Sequence, residues 1–383
     1  MATRLNETEQ NRIYLDYNAS TPIDPEVLEE MLPFLTSYYG NPSSSHWASE
    51  KIKVAIDLAR QRIATLLNCK TSEIVFTSGG SESNNHAIKG AYFANRHRGN
   101  HIITTKVEHP SVLNPCVFLE SIGAKVTYLD VDAYGLVDLS DLAAAITKDT
   151  ILMSIMHANN EVGTVQPLQE IAEITSRRGI ILHTDAAQSI GKIDVNWDEM
   201  NVNLLTVAGH KLYAPKGVGA LIIKEGTVIT PHNHGASHEV GRRAGTENVP
   251  FIVGLGKSAE LAYRRNDHHQ EIQTLSNLFW KKLSDAFKDR IVMNGHPDKR
   301  LPNTLNVSFI GMIGQEILAK IPEIAATTGS ACHTGSIEIS PVLKAMKLSQ
   351  EVAVGTVRFS IGRYTTVNEI DRACALIIER IRD

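Results

Sequence analysis

Ile180-Ile181-Leu182-His183-Thr184-Asp185-Ala186-Ala187-Gln188 and Leu204-Leu205-Thr206-Val207-Ala208-Gly209-His210-Lys211 share one pattern: a short apolar run, then small residues around a single charged side chain. Runs this brief and β-branched suit strands covered on both faces. The pattern extends outward in both directions. Ile74-Val75-Phe76, Ile102-Ile103, Val126-Thr127-Tyr128-Leu129 and Ile151 to Met156 precede it, and Val218 to Ile223 follows. Helix-period stretches such as Leu168 to Arg178 lie between them. Strand and helix in alternation predict an α/β fold with a mostly parallel central sheet. Such sheets bind ligands in the loops beyond the carboxyl ends of their strands, which is where Asp185 and Lys211 stand.

Ahead of the sheet, Ile52, Ala55, Ile56, Ala59, Ile63, Leu66 and Leu67 share one helical face. After Pro250 the pattern changes. A charge-rich helical stretch from Lys257 to Asp289 precedes strand-like segments at Leu301 to Ile310 and Val357 to Ile361, then a closing helix from Glu369 to Ile381. We therefore expect a large domain over residues 20–255, and a smaller α/β carboxyl-terminal domain built from residues 1–19 and 256–383. The amino-terminal segment returns either to that domain or to the cleft.

Composition narrows the function classes. A net charge of -4 lacks the basic excess that duplex nucleic acid attracts. Cys69, Cys116, Cys332 and Cys374 lie far apart with no CxxC pair, which argues against a disulfide framework or a cysteine-based zinc site and for a reducing compartment. The opening MATRLNETEQNR lacks the apolar centre of a signal peptide, and its acidic residues argue against a transit peptide. No apolar stretch reaches membrane-spanning length. The expected location is the cytoplasm.

Lys211 at a strand's carboxyl end can reach into a cleft and form a Schiff base with a carbonyl cofactor, or lie on the surface as most lysines do. Asp185, ending the neighbouring run, can keep a pyridine nitrogen protonated or cap a helix. In Thr77-Ser78-Gly79-Gly80-Ser81-Glu82-Ser83, glycines and a helix start provide either a phosphate cradle or a plain turn. There is no GxGxxG. Gly256-Lys257-Ser258 has the ending of a P-loop, but Phe251 occupies the place of its first glycine.

In this order the pieces resemble the class V aminotransferases of fold-type I, and among them the cysteine desulfurases. The likeness runs from Tyr14-Leu15-Asp16-Tyr17-Asn18-Ala19 to Arg358-Phe359-Ser360-Ile361-Gly362-Arg363. Gly40-Asn41-Pro42-Ser43-Ser44, Glu108-His109, Asn159-Asn160-Glu161-Val162-Gly163, Gly245-Thr246-Glu247-Asn248 and Gly329-Ser330-Ala331-Cys332 carry it. The resemblance implies pyridoxal 5'-phosphate as cofactor, with Lys211 as its Schiff-base lysine and the base for the substrate α-proton. It implies that Asp185 pairs with the pyridinium nitrogen, that Gln188 and Asn160 contact the phenolic side of the ring, and that His109 stacks on the ring and shuttles protons. Gly80, Ser81 and His210 match phosphate-binding positions. Thr246 reaches the same phosphate from a neighbouring subunit, which implies a homodimer with shared sites. The resemblance also implies that Arg358 and Asn160 bind the substrate, with Arg358 gripping its carboxylate.

Cys332 selects the reaction. The resemblance implies removal of sulfur from L-cysteine, giving L-alanine and a Cys332 persulfide that an acceptor protein collects. Relatives of this kind serve iron–sulfur cluster assembly, tRNA thiolation and DNA phosphorothioation. Thr327 to Ser340 is rich in Gly, Ser and Thr without apolar periodicity, which suits a mobile loop. A selenocysteine lyase, or a non-catalytic homologue acting as a partner protein, is the alternative. Two departures stand out. Ala208 replaces a usual hydroxyl residue, removing one phosphate hydrogen bond, and His232-Asn233-His234-Gly235-Ala236-Ser237-His238-Glu239 replaces a glycine-rich segment. The spacing of its histidines fits no single helical face, so a surface or cleft-rim role is expected and no metal.

Overall fold

The computed structural model describes residues 11–265, 268–333 and 336–382; side chains at 268, 330–333 and 336–337 lie outside that description. The chain enters through a short strand, β1 (Ile13–Tyr14), and two helices, Pro25–Thr36 and Glu50–Leu67. It then builds a seven-stranded sheet from β2 (Ile74–Thr77), β3 (His101–Thr105), β4 (Lys125–Leu129), β5 (Thr150–Ser154), β6 (Ile181–Asp185), β7 (Leu204–Ala208) and β8 (Gly219–Ile223), in the order β2-β8-β7-β6-β5-β3-β4. Strands β7, β6, β5, β3 and β4 run parallel, while β8 is antiparallel to both of its neighbours. The predicted α/β architecture with a mostly parallel sheet is what the chain forms.

Every residue of β2, β3, β5, β6, β7 and β8 is buried, and only the edge strand β4 is partly open. That burial explains why the strands read as unbroken apolar runs rather than alternations. The two faces still alternate. Ile102 and Leu152 pack under helices Gly80–Asn95 and Pro110–Glu120, whereas Ile103 and Met153 face the other core. Removing one such side chain, as in Leu205→Ala, costs about 2–5 kcal/mol.

On that second face, helix Val249–Arg264 lies against helix Glu50–Leu67. The crossing is close: a Cβ at Gly256 would fall 2.4 Å from the Cα of Ala59. Gly256 is thus a packing residue in mid-helix, and Lys257 sits 3.6 Å from both Glu26 and Glu260, which removes the nucleotide-loop reading. Ala259 and Ala262 of this helix, beyond the expected boundary at residue 255, still pack in the large core.

The predicted helical stretch from Lys257 to Asp289 is formed by two helices, Val249–Arg264 and His268–Phe287. The second joins helix Val367–Ile381 over a four-stranded antiparallel sheet. The strands of this part of the chain are β9 (Ile291–Asn294), β10 (Thr304–Phe309), β11 (Ile324–Ala325), β12 (Thr327–Thr328), β13 (Ser330–His333), β14 (Ser336–Ile339) and β15 (Thr356–Ser360), of which β12-β15-β10-β9 form the sheet. Phe279, Leu283, Phe359, Ile370 and Ile377 make this separate core. The amino-terminal segment does both things expected of it. β1 pairs with β11, Asp16 bridges to Ser360, and the following residues enter the cleft.

The segment expected to be a mobile loop, Thr327–Ser340, has strand backbone along much of its length. Its backbone forms strand β12 and then an antiparallel hairpin, with Cys332 opposite Ile337. Gly, Ser and Thr carry no alternation to reveal such a hairpin, because its pairing uses backbone groups.

Candidate active site

The site lies where the carboxyl ends of β6 and β7 meet the return of the amino-terminal segment. β6 delivers Asp185, 8% exposed, to the floor of a cleft of about 680 Å³. Its Oδ2 accepts from Asn84 Nδ2 at 2.7 Å and its Oδ1 from the Ala187 amide at 2.9 Å. Asn84 also donates to Ser111 Oγ at 2.8 Å. After β7, one tight turn, Gly209–Lys211, carries Lys211 into the same cleft. Lys211 Nζ donates to the carbonyls of Asn18 and Ala19, the latter at 2.8 Å. Burial and the Arg358 charge lower this amine, Asp16 and Asp185 raise it, and the balance stands at about 8. Part of its population is therefore an uncharged nucleophile at neutral pH.

One end of the cleft suits an anion. β2 turns into helix Gly80–Asn95 through Gly79, whose φ of +143° favours glycine. A Cβ at Gly219 would fall 2.7 Å from the Cα of Gly79, so loop and β8 touch backbone to backbone. The Gly80 and Ser81 amides open the helix without intrahelical acceptors, where a phosphate binds. Ala208 and His210 border this end, and the Ala208 Cβ would stand 3.2 Å from a Cβ at Gly80. His210 Nδ1 lies 3.4 Å from Ser20 Oγ.

His109, Asn160, Gln188 and Arg358 complete the lining. His109 caps helix Pro110–Glu120; its Nδ1 accepts the Ser111 amide at 3.1 Å and meets Ser111 Oγ at 2.7 Å. Arg358 is 7% exposed; it donates to the Asn160 carbonyl at 2.9 Å and pairs with Asp16 at 2.5 Å. Its Nε is buried with no partner among the described residues.

Two predicted residues do not join this group. Thr246 is exposed and does not line its own chain's cleft. The Cys332 side chain lies outside the described residues, although its hairpin rises from Thr327, which does line the cleft. The histidine-rich stretch lies away from the cleft lining. His232 and His234 are exposed, Glu239 binds Arg60 at 2.7 Å, and no metal-binding cluster occurs among the described residues.

Sequence reasoning gave no role to three residues of this site. Asn18, 1% exposed, is a hub: its Nδ2 donates to Thr304 Oγ1 at 2.8 Å and to the Asn160 carbonyl at 3.1 Å, while its own carbonyl receives Gln188 Nε2 at 3.0 Å. Lys192, buried, donates to Asn18 Oδ1 at 2.9 Å and Gln188 Oε1 at 2.6 Å. Burial, with Lys211 and Arg358 nearby, holds its amine well below the usual lysine range. Residues 188–192 form turns and not a helix, so their spacing carried no signal. Glu108, beside His109, has one oxygen bonded to the Met156 amide and the other unpartnered, and burial pushes its carboxyl up to about 8.

A carboxylate, a low-pKa lysine and an anion cradle around one cleft describe a family, and comparison names it. The aminotransferase class-V model matches residues 13–373. The chain belongs to the class-V aminotransferase family. It is 48% identical to the cysteine desulfurase IscS of Dictyoglomus turgidum, over 97% of this chain and 96% of that one. Among solved structures, a NifS-like protein matches at TM-score 0.89 and 35% identity, over 96% of this chain and 98% of that chain. A structure described as SspA in complex with cysteine matches at TM-score 0.81 and 40% identity, covering 92% and 99% of the two chains. The likeness in sequence and architecture thus extends over nearly the whole chain. No helix among the described residues is long and apolar enough to cross a membrane.

Proposed function

We propose that this protein is a cysteine desulfurase using pyridoxal 5'-phosphate, and that it stores the sulfur of L-cysteine as a persulfide on Cys332. The single observation that carries the reading is Lys211, with its amine lowered to about 8, set beside Asp185 in one cleft. The residues present fit the cofactor. Asp185 is fixed by Asn84 and the Ala187 amide so that it faces the cleft as a carboxylate, the partner a protonated ring nitrogen requires. The Gly80 and Ser81 amides, with His210, suit the phosphate, and Lys211 would hold the cofactor through its aldehyde. His109 would lie over the ring, and Asn160 and Gln188 beside its phenolic oxygen. When bound, the cofactor draws electron density from the substrate α-carbon.

The chain's own groups do the rest. Lys211 removes the α-proton and returns one. Arg358, which lines the cleft, receives the substrate carboxylate. Cys332, as thiolate, attacks the substrate sulfur; an S–S bond forms and the substrate's carbon–sulfur bond breaks. In balance, L-cysteine and the Cys332 thiol become L-alanine and the Cys332 persulfide. An acceptor thiol then collects the outer sulfur. Thr246, exposed and away from its own cleft, is free to complete a partner's site in a homodimer. A cytoplasmic location fits the reduced thiol this chemistry needs. The test is incubation with L-cysteine and mass mapping of the persulfide. Cys332→Ala should keep the cofactor's visible band and lose the persulfide; full-rate sulfur supply from that variant would remove Cys332 from the mechanism.

A further inference from the structure

Lys192 is a buried lysine in the wall of the site with no role in the chemistry above. Its Nζ donates to Gln188 Oε1 at 2.6 Å and to Asn18 Oδ1 at 2.9 Å. The orientations of both amides are fixed by their other partners. Asn18 Nδ2 faces the Asn160 carbonyl at 3.1 Å, so Oδ1 is the atom turned to Lys192. Gln188 Nε2 faces the Asn18 carbonyl at 3.0 Å, so its oxygen is the end that meets the amine. Asn303 Nδ2 adds a second donor to Asn18 Oδ1 at 2.9 Å. Each acceptor in this knot is matched by a donor, as a buried polar network requires.

The consequence lies on the cleft side. A glutamine amide has two N–H groups. With its oxygen held by Lys192 and one N–H on Asn18, the second N–H remains for the cleft that Gln188 lines. Lys211 Nζ donates to the same Asn18 carbonyl, which places this amide beside the lysine that would carry the cofactor's aldehyde. In pyridoxal the phenolic oxygen is the ring substituent next to that aldehyde. We propose that Lys192 is a positioning residue, which holds the Gln188 amide with a donor turned toward the cofactor's phenolic oxygen. This deepens the proposed function and rests on the cofactor placement given there.

A donor at a deprotonated oxygen favours that form, and so lowers the pH at which the lysine–cofactor linkage gives up its shared proton. Loss of Lys192 leaves Gln188 Oε1 unpartnered and the amide free to turn away. The experiment is a pH titration of the visible absorption band of the holoenzyme, made with wild type, K192M, K192R, Q188L and K192M/Q188L. K192M is expected to raise the midpoint by about one to two units, the size of one hydrogen bond to a charged group. K192R, which keeps the donors, should return most of the shift. In the Q188L background K192M should add nothing, because the residue it positions is gone. An unshifted K192M, or a shift that persists undiminished on Q188L, overturns the role. K192Q replaces K192M under the same criteria should circular dichroism show K192M unfolded. A wild-type protein with no visible band after loading with pyridoxal phosphate defeats the functional reading as well. A wild-type band with no K192M shift defeats this inference alone.

Discussion

The floor of the cleft and the hairpin that carries Cys332 are built on opposite plans. Asp185 and Lys211 stand at the ends of strands buried along their whole length; hydrogen bonds from Asn84 and the Ala187 amide fix the Asp185 oxygens, and the Lys211 amine donates to the Asn18 carbonyl. Among the described residues the hairpin β13–β14 pairs only with itself. At its base the Ser340 amide donates to the Gly329 carbonyl at 2.7 Å, and Ser340 Oγ donates to Glu161 of the large sheet's loops at 2.5 Å. Charge chemistry gains from groups that need not reorganise during the reaction. Sulfur carriage needs one side chain to serve two places, so a strap anchored at its base suits it. The two plans meet at Thr327 and Arg358, which border both the cleft and the adjoining hollow under the hairpin.

The comparison breaks most sharply at Lys211. Lys211→Ala should abolish the covalent visible band and lower alanine production by about 10³-fold or more, since a positioned general base contributes about 10²–10⁴. Cys332 and its hairpin are untouched by that change. A Lys211→Ala protein that retained a tenth of wild-type turnover would show that the floor is not where the proton moves.

The same contrast decided what could be read before the coordinates. Six strands of the large sheet were legible because burial on both faces writes a continuous apolar run, and Asp185 and Lys211 were legible as the charged residues ending two of them. Asn18, Asn84 and Lys192 were not. Asn84 lies one turn beyond the glycine loop and meets Asp185 across 101 residues, and Asn18 meets Lys211 across 193. Such partners are set by topology, and no local period announces them. The hairpin was missed for the converse reason, since its side chains carry no alternation. Gly256 shows a motif fragment that packing explains in full: its missing Cβ admits Ala59.

Lys211 also sharpens the comparison through pH. Its amine is lowered to about 8, chiefly by burial, so the folded apoprotein holds it neutral above that value, while the unfolded chain stays charged up to the ordinary lysine range. Between about 8 and 10.4 the unfolded state binds more protons, and this group's contribution to stability rises with pH. Its contribution is smallest below the folded value, where both states are protonated. For reactivity the expectation is direct. The rate at which apoprotein takes up pyridoxal phosphate, followed by absorbance, should climb with pH and level off near 8. A climb continuing past 10 would mean that the floor leaves Lys211 as an ordinary surface amine.

The smallest effect is expected at the hairpin's base. Burial raises the Glu161 carboxyl, while Ser340 and Arg358 lower it. Ser340→Ala deletes the hydroxyl that ties hairpin to loop, a bond worth about 1 kcal/mol when neutral and more to a carboxylate. It should slow persulfide formation about fivefold while the visible band and its pH midpoint stay as in wild type. Ser340 also caps helix Pro341–Ala345, donating nothing there but accepting the Val342 amide at 3.1 Å, so alanine disturbs two bonds at once. Ser340→Thr keeps both, and should restore the rate if the tether matters rather than the residue's size. Equal slowing by alanine and threonine would assign the effect to packing under β14. Slowing accompanied by a changed band would mean that strap and floor are not separate devices, because a contact at the base of one would then be altering the electrostatics of the other.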